Sequence, residues 1–349
     1  MSEILNTDNV QEAVDNTFDS DENTSTVNGY TPDPADDELF RFLDNRDAFE
    51  SEKIVAPRYS YWKSVFRVFF RKKVNFVLIG VLIFILLTAF IMPAFWPYDA
   101  MENVTDPLSY SLSPSKAMEY FGGFSFKYLL GTGSMGNSIL YGIVSSSRTS
   151  LELAFICAAI NMTIGILIGA VWGYSKRFDM VMLVIYQIIA NVPGILLVSV
   201  LVYIIGSGFW QLIFALTITG WLGISYFFRN QVMIIRDREY SLASRCLGTP
   251  INRMVSKNIL PFLTSVIVTL LATELPSYIS TEVFLSYIGI GLSAKVPSLG
   301  RMIQQGQTAF RTFPWAFWPA VIVAAAITFI LYFLGQNLAD ASDPRTHML

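Results

Sequence analysis

Histidine and cysteine are almost missing from this chain of 349 residues: His347 is the single imidazole, and Cys157 and Cys246 are the only thiols. One imidazole near the C-terminus leaves almost no raw material for a zinc cluster or a histidine-dependent nucleophilic triad, which weighs against a membrane protease or other hydrolase. Two cysteines, one inside an apolar run and one in a polar loop, form neither a disulfide framework nor a metal-ligand spacing. Charge is scarce as well, at 15% of residues against roughly a quarter in an ordinary soluble domain. A nucleotide site is also lacking. Gly131–Gly136, GTGSMG, fits a dinucleotide-binding pattern by letters alone, but no strand–helix–strand unit surrounds it and a P-loop would need a Lys where Asn137 stands. No cofactor bound by this chain and no nucleic-acid partner are expected.

What is present is apolar surface. Hydrophobic residues make up 53% of the chain and its mean hydropathy is +0.48, so it reads as an all-α, polytopic protein that passes several times through the plasma (cytoplasmic) membrane. The formal charge of −3 conceals a division, because residues 1–60 hold 15 of the 27 acids but only 4 of the 24 bases. Residues 1–58, rich in Asp, Glu, Asn, Ser and Thr, lack apolar periodicity and read as a disordered acidic cytoplasmic tail; without a basic start and an apolar core they do not read as a signal peptide. Residues 59–73 set Trp62, Phe66, Phe69 and Phe70 against Lys63, Arg67 and Arg71–Lys73, the pattern of an amphipathic helix at an anionic leaflet. This membrane lipid is its expected contact.

Six spans are predicted within a membrane domain of residues 74–345: 74–95, 151–174, 180–206, 209–228, 259–279 and 317–337, each near or above the ~20 residues that cross the hydrocarbon. Residues 96–150 are expected outside and 229–258 in the cytoplasm, because the bases then concentrate on the inner side, with N- and C-termini both inside. Asn191, Pro193 and Gly194 predict a bend in the third span, read as a structural kink rather than a wall of a pathway. Glu152 opens the second span and reads as a solvated terminus. Glu274 and Glu282 lie within or near the fifth; an ionisable group at that depth costs roughly 2.5 kcal/mol or more, so each is expected to face the bundle interior or an aqueous path.

The long polar insert of the second half, Glu239–Pro261, reads as a short amphipathic helix. Tyr240, Ala243, Leu247 and Ile251 recur at helical spacing, Glu239 occupies the first turn, and Gly248–Thr249–Pro250 supplies a stop. From these residues alone an interfacial anchor and a docking helix are equally allowed. The stretch resembles, however, the cytoplasmic coupling loop of ABC-importer permeases, with Leu242, Ala243 and Ser244 at the Glu-Ala-Ala positions, Gly248 at the glycine, and Leu260–Pro261 at the Leu-Pro. Leu242 and Ser244 depart from that pattern.

Three further stretches are similar to the dipeptide and oligopeptide subfamily, C-type subunit. They are GTGSMGNS at 131–138, with Gly133 and Asn137 in place of its Asp and Arg; EVFLSYIGIGL at 282–292 followed by Pro297–Ser298–Leu299–Gly300; and LGQNLADASDPR at 334–345. The resemblance implies the type I importer permease fold, a second homologous permease, two ABC ATPase subunits that hold ATP and magnesium, an external peptide-binding (lipo)protein and a peptide substrate. It also implies coupling through Glu239, Tyr240, Ala243, Ser244, Arg245 and Gly248, the first, second and third of these packing or pairing in an ATPase groove. Import of nickel complexes or another small solute by the same architecture stays open. From other classes, a proton-coupled secondary carrier using Glu274 and Glu282, or a membrane scaffold, remain as rivals.

Overall fold

Apolar runs of this length have one economical way to satisfy their backbone inside lipid, and each is helical in this computed structural model. The structure describes residues 60–99, 106–308 and 310–343; the expected tail at 1–58 and the terminal Pro344–Arg345 lie outside the described residues. The main helices are α1 Tyr61–Arg71, α2 Lys73–Phe95, α3 Pro114–Tyr120, α4 Ile139–Tyr174, α5 Lys176–Ala190, α6 Gly194–Ile205, α7 Phe209–Arg236, α8 Glu239–Cys246, α9 Thr264–Tyr287, α10 Leu299–Gln307 and α11 Pro314–Ser342. Five helical stretches are long and apolar enough to cross a membrane, and six if α5 and α6 form one broken span.

α4 is the central post. It packs against α2, α7, α9, α10 and α11, and its 36 residues extend about 54 Å at 1.5 Å each, far more than the roughly 30 Å of hydrocarbon. The helix therefore begins at Ile139, capped by Ser138, inside the stretch expected to be an external loop up to residue 150. Ser150 and Glu152 are mid-helix residues, and Glu152 accepts from Arg148 at 2.8 Å instead of ending a span.

The third span differs most from expectation. Pro193 has no N–H to donate and disfavours helical backbone at Val192, and here the chain breaks outright: α5 and α6 meet at 80°. α7 runs on as helix to Arg236, through the first eight residues of the stretch 229–258. Beyond it a single turn, Ile251–Arg253, passes into a π-helical turn, Met254–Ile259, and a 3-10 turn, Leu260–Leu263, before α9. Pro276 lies within α9 without ending it.

α1 is amphipathic, but one face is not spent on lipid. Val65 and Phe69 are buried against Ile330, Leu334 and Ala341 of α11, while Trp62, Phe66 and Phe70 are exposed. The Tyr61 hydroxyl donates to the Ser342 carbonyl at 2.8 Å and the Lys72 ammonium to Asn337 at 2.8 Å. The start and the end of the described bundle thus lie against each other.

Candidate functional site

α8 is short, and its end is well defined. Thr249 N–H donates to the Ser244 carbonyl at 3.2 Å and Gly248 N–H to that of Arg245 at 3.0 Å, the paired bonds of a left-handed helix stop. Gly248 supplies the required φ of +73°, and a Cβ there would meet nothing within 4 Å. The cost of another residue is therefore backbone strain alone.

The helix is clamped from its inner side. Asn258 Nδ2 donates to Ser244 Oγ at 3.0 Å, the Arg245 guanidinium lies 5.2 Å from the Tyr174 ring centre, and the Tyr240 and Phe262 rings are 5.1 Å apart. Ser241 is buried. Met254, Val255 and Ile259 of the return segment are buried with Ile224, Phe228 and Val232 of α7. At the other end Arg236 donates to the Gly173 carbonyl at 2.9 Å and to Asp237 at 2.9 Å, and this guanidinium holds the Asp237 carboxyl below the usual carboxylate range.

Of the six residues expected to couple, Ser244 and Arg245 therefore hold α8 to its own bundle, and Tyr240 does so with one side of its ring. Glu239 and Ala243 are exposed. The apolar row of Tyr240, Ala243, Leu247 and Ile251, which an isolated amphipathic helix would turn inward, instead faces out, with Leu247 86% exposed. Leu242 and Cys246 are outward too.

Sequence reasoning missed how α8 is tied to the spans. Gly165, Gly169 and Gly173 recur every four residues on α4, and a Cβ at each would come within 2.6 Å of Ile224, the Ser225 carbonyl and the Arg229 carbonyl of α7. Small residues at that spacing let two helices approach backbone to backbone, and Ser225 Oγ adds a bond to the Gly165 carbonyl at 3.0 Å. The glycine spacing was visible in the sequence. The second tie was not: Arg229, the first residue of the stretch 229–258, makes a two-pronged pair with Asp179 of α5 at 2.5 and 2.8 Å. Trp172 Nε1 donates to the same carboxylate at 2.7 Å, and the guanidinium lies 5.9 Å from the Trp172 ring.

The two membrane glutamates have opposite surroundings. Glu282 is fully buried and accepts from Ser150 of α4 at 2.7 Å and from Ser286 at 2.8 Å. Those hydroxyls in turn accept from Leu299 N–H at 3.4 Å and Leu292 N–H at 3.3 Å. Glu282 thus pins the 288–299 segment and α10 onto the spans, and it belongs to the bundle interior. Glu274 is half-buried and lies one helical turn before Tyr278 on α9. Tyr278 lines a groove of about 420 Å³ between α5–α6, α7 and α9, whose wall includes Val192, Gly194, Gly220, Gly223 and Thr281. The break in the third span is thus part of a cavity wall.

Residues 161–348 match the family described as the binding-protein-dependent transport system inner membrane component, and residues 60–114 match the N-terminal TM domain of oligopeptide transport permease C. The chain is 45% identical to the oligopeptide transport system permease protein AmiD of Streptococcus pneumoniae, over 89% of this chain and 98% of that protein. It is 32% identical to OppC of Bacillus subtilis over 86% of this chain and 94% of OppC. With the dipeptide permease DppC of the same organism the identity is 30%, over 85% and 89%.

Proposed function

The chain belongs to the inner-membrane permeases of binding-protein-dependent transport systems, in their oligopeptide and dipeptide branch, and from that premise we propose that α8 is the handle by which partner ATPases drive it. It is a permease of an oligopeptide or dipeptide ABC importer, a transport component and not a catalyst. Its partners are an ATPase, a binding protein and a paired permease. In detail, two ATPase subunits carrying ATP and magnesium dock below the membrane, a homologous permease completes the path, and an external peptide-binding lipoprotein delivers the peptide.

The observation that carries this reading is the exposed row of Leu242, Ala243 and Leu247 on a helix otherwise clamped at both ends. A helix held this way cannot slide under load. A push on it passes through Arg236 and the return segment into α7, and α7 and α4 move together because their backbones are in contact along the glycine stripe. Asp179 and Arg229 carry the motion to α5. The 80° break then lets α6 turn against α5, which widens or narrows the groove beside it. Glu239 adds an acid at the exposed start of the helix, and Gly248 sets the angle at which the chain leaves.

Among the described residues the proton-carrier alternative finds no relay. Glu282 is enclosed by serines, and Glu274, eight residues earlier, is about 12 Å away along the helix axis.

The test is Leu247→Glu in the assembled complex. The expected result is membrane insertion at the normal level, loss of the ATPase subunits on purification in mild detergent, and loss of substrate-stimulated ATP hydrolysis. Retention of both the subunits and the stimulation would refute the docking role.

A further inference from the structure

We propose that α1 is a binding site for anionic phospholipid of the cytoplasmic leaflet, with Trp62, Phe66 and Phe70 among the acyl chains and Lys63, Arg67, Arg71 and Lys73 on the phosphate groups. The site is independent of how α8 is driven.

The bundle fixes which faces of α1 are free. Neighbouring residues of a helix lie about 100° apart round its axis, and residues four apart stack into a row. Val65 and Phe69 form the inner row, buried against α11. Trp62, Phe66 and Phe70 form a second row, exposed at 49, 49 and 41%, with successive ring centres 6.3 and 6.4 Å apart. Lys63, Arg67 and Arg71 form a third, one residue further round and away from α11, and all three are exposed. Residues 61–73 hold five bases and no acid. Lys72 is taken by Asn337 and Asp340; among the described residues the other four make no ion pair.

The helix cannot roll to hide its rings. Asn75, wholly buried, donates to the Phe69 carbonyl at 2.7 Å and accepts from Asn337 at 2.8 Å, and the Tyr61 hydroxyl holds the other end on Ser342. The aromatic and basic rows are therefore presented side by side on a fixed support.

Continuity decides what covers them. The Phe70 ring lies 5.2 Å from that of Phe76 at the start of α2, and Val74, Phe76 and Val77 are exposed on that spanning helix. The aromatic row thus runs on into the surface that α2 shows to lipid. Long basic stems beside such a row can reach the phosphate level while the rings stay in the acyl layer. A row of cations without acids favours anionic headgroups, each base near the surface strengthening association about fivefold. A free phosphate would leave the rings uncovered, so the occupant is lipid.

The experiment places the full complex in vesicles of phosphatidylcholine and phosphatidylglycerol carrying a trace of a photoactivatable analogue of one or the other, and maps the labelled residues by mass spectrometry. The phosphatidylglycerol analogue should label residues 60–76 in clear excess over the phosphatidylcholine analogue, and salt should reduce the excess. Replacing Lys63, Arg67, Arg71 and Lys73 together by Gln should lower that ratio by at least about tenfold and leave labelling of the other spans unchanged. Trp62→Gln/Phe66→Gln/Phe70→Gln should lower labelling of the segment by both analogues. Equal labelling by the two analogues would overturn the site, as it would if the acidic residues 1–58 of the same chain occupied the basic row. So would absence of label from residues 60–76, which would mean that protein covers the rings, or a ratio unchanged in the four-Gln variant. None of these readouts depends on ATPase binding, so this proposal and the docking role of α8 fail separately.

Discussion

Replacing Asp179 by Asn tests the mechanical link between the broken span and α7. The two side chains are only 10% and 19% exposed, and once the carboxylate is gone Arg229 is left with neutral side-chain acceptors, the Asn230 amide oxygen at 2.8 Å and the oxygen of the new amide, and no counter-charge. An exposed pair would lose about 0–1 kcal/mol, whereas stranding one charge of a buried pair costs roughly 3–5 kcal/mol. The low exposure puts this pair near the second figure, and about 3 kcal/mol is expected. At about 2.1 cal/mol/K of unfolding entropy per residue, a chain of 349 residues falls in melting temperature by roughly 4 °C, read in detergent by a thiol-independent unfolding assay. Arg229→Gln alone should also destabilise, because Asp179 then retains only the Trp172 donor. The double variant Asp179→Asn/Arg229→Gln should recover at least about 1.5 kcal/mol relative to the sum of the singles, within the range seen for residues in one network. In transport, the single variant should hydrolyse ATP with less peptide moved per cycle. If the two single losses simply add in the double variant, the pair is not an energetic unit and the proposed route from α7 to α5 fails.

Two other substitutions separate packing from strain. Gly169→Ala would place a methyl 2.6 Å from the Ser225 carbonyl, and over-packing of that kind costs about 1–3 kcal/mol; Gly80→Ala, with nothing within 4 Å, should melt like the unsubstituted protein, and equal melting of both variants would count against the glycine contact. Gly248→Leu forces a side chain onto a φ of +73°, at roughly 1–2 kcal/mol, so stimulated ATP hydrolysis should drop sharply with normal insertion. Gly248→Asn, which tolerates that conformation, should retain most of the stimulation, and a Leu variant as active as the Asn variant would show that the stop geometry does not matter.

Much of this protein is decided by local chemistry that the sequence carries on its face. Whether some twenty consecutive residues partition into hydrocarbon depends on those residues alone, so the bundle of crossings, the polar insert at 239–261 and the likeness at 282–292 and 334–345 were legible without any fold. Boundaries were less so, since α4 and α7 continue as helices well past the point where their hydropathy fades, to Ile139 and Arg236. What no local reading could settle is which side chain meets which. Asp179 and Arg229 are 50 residues apart, Asn161 and Tyr278 are 117 apart, and Ser150 and Glu282 are 132 apart. Two glutamates on one helix look alike in sequence; only packing against α4 sealed Glu282 among serines and left Glu274 half-buried. Most of the apolar row of α8 faces outward for the same reason, because Asn258 and Tyr174, on the far side of the loop or distant in sequence, claim Ser244 and Arg245 on its other face. Span composition is a transfer free energy summed along the chain, whereas partners are chosen by the close approach of helices, and that exists only once the bundle is assembled.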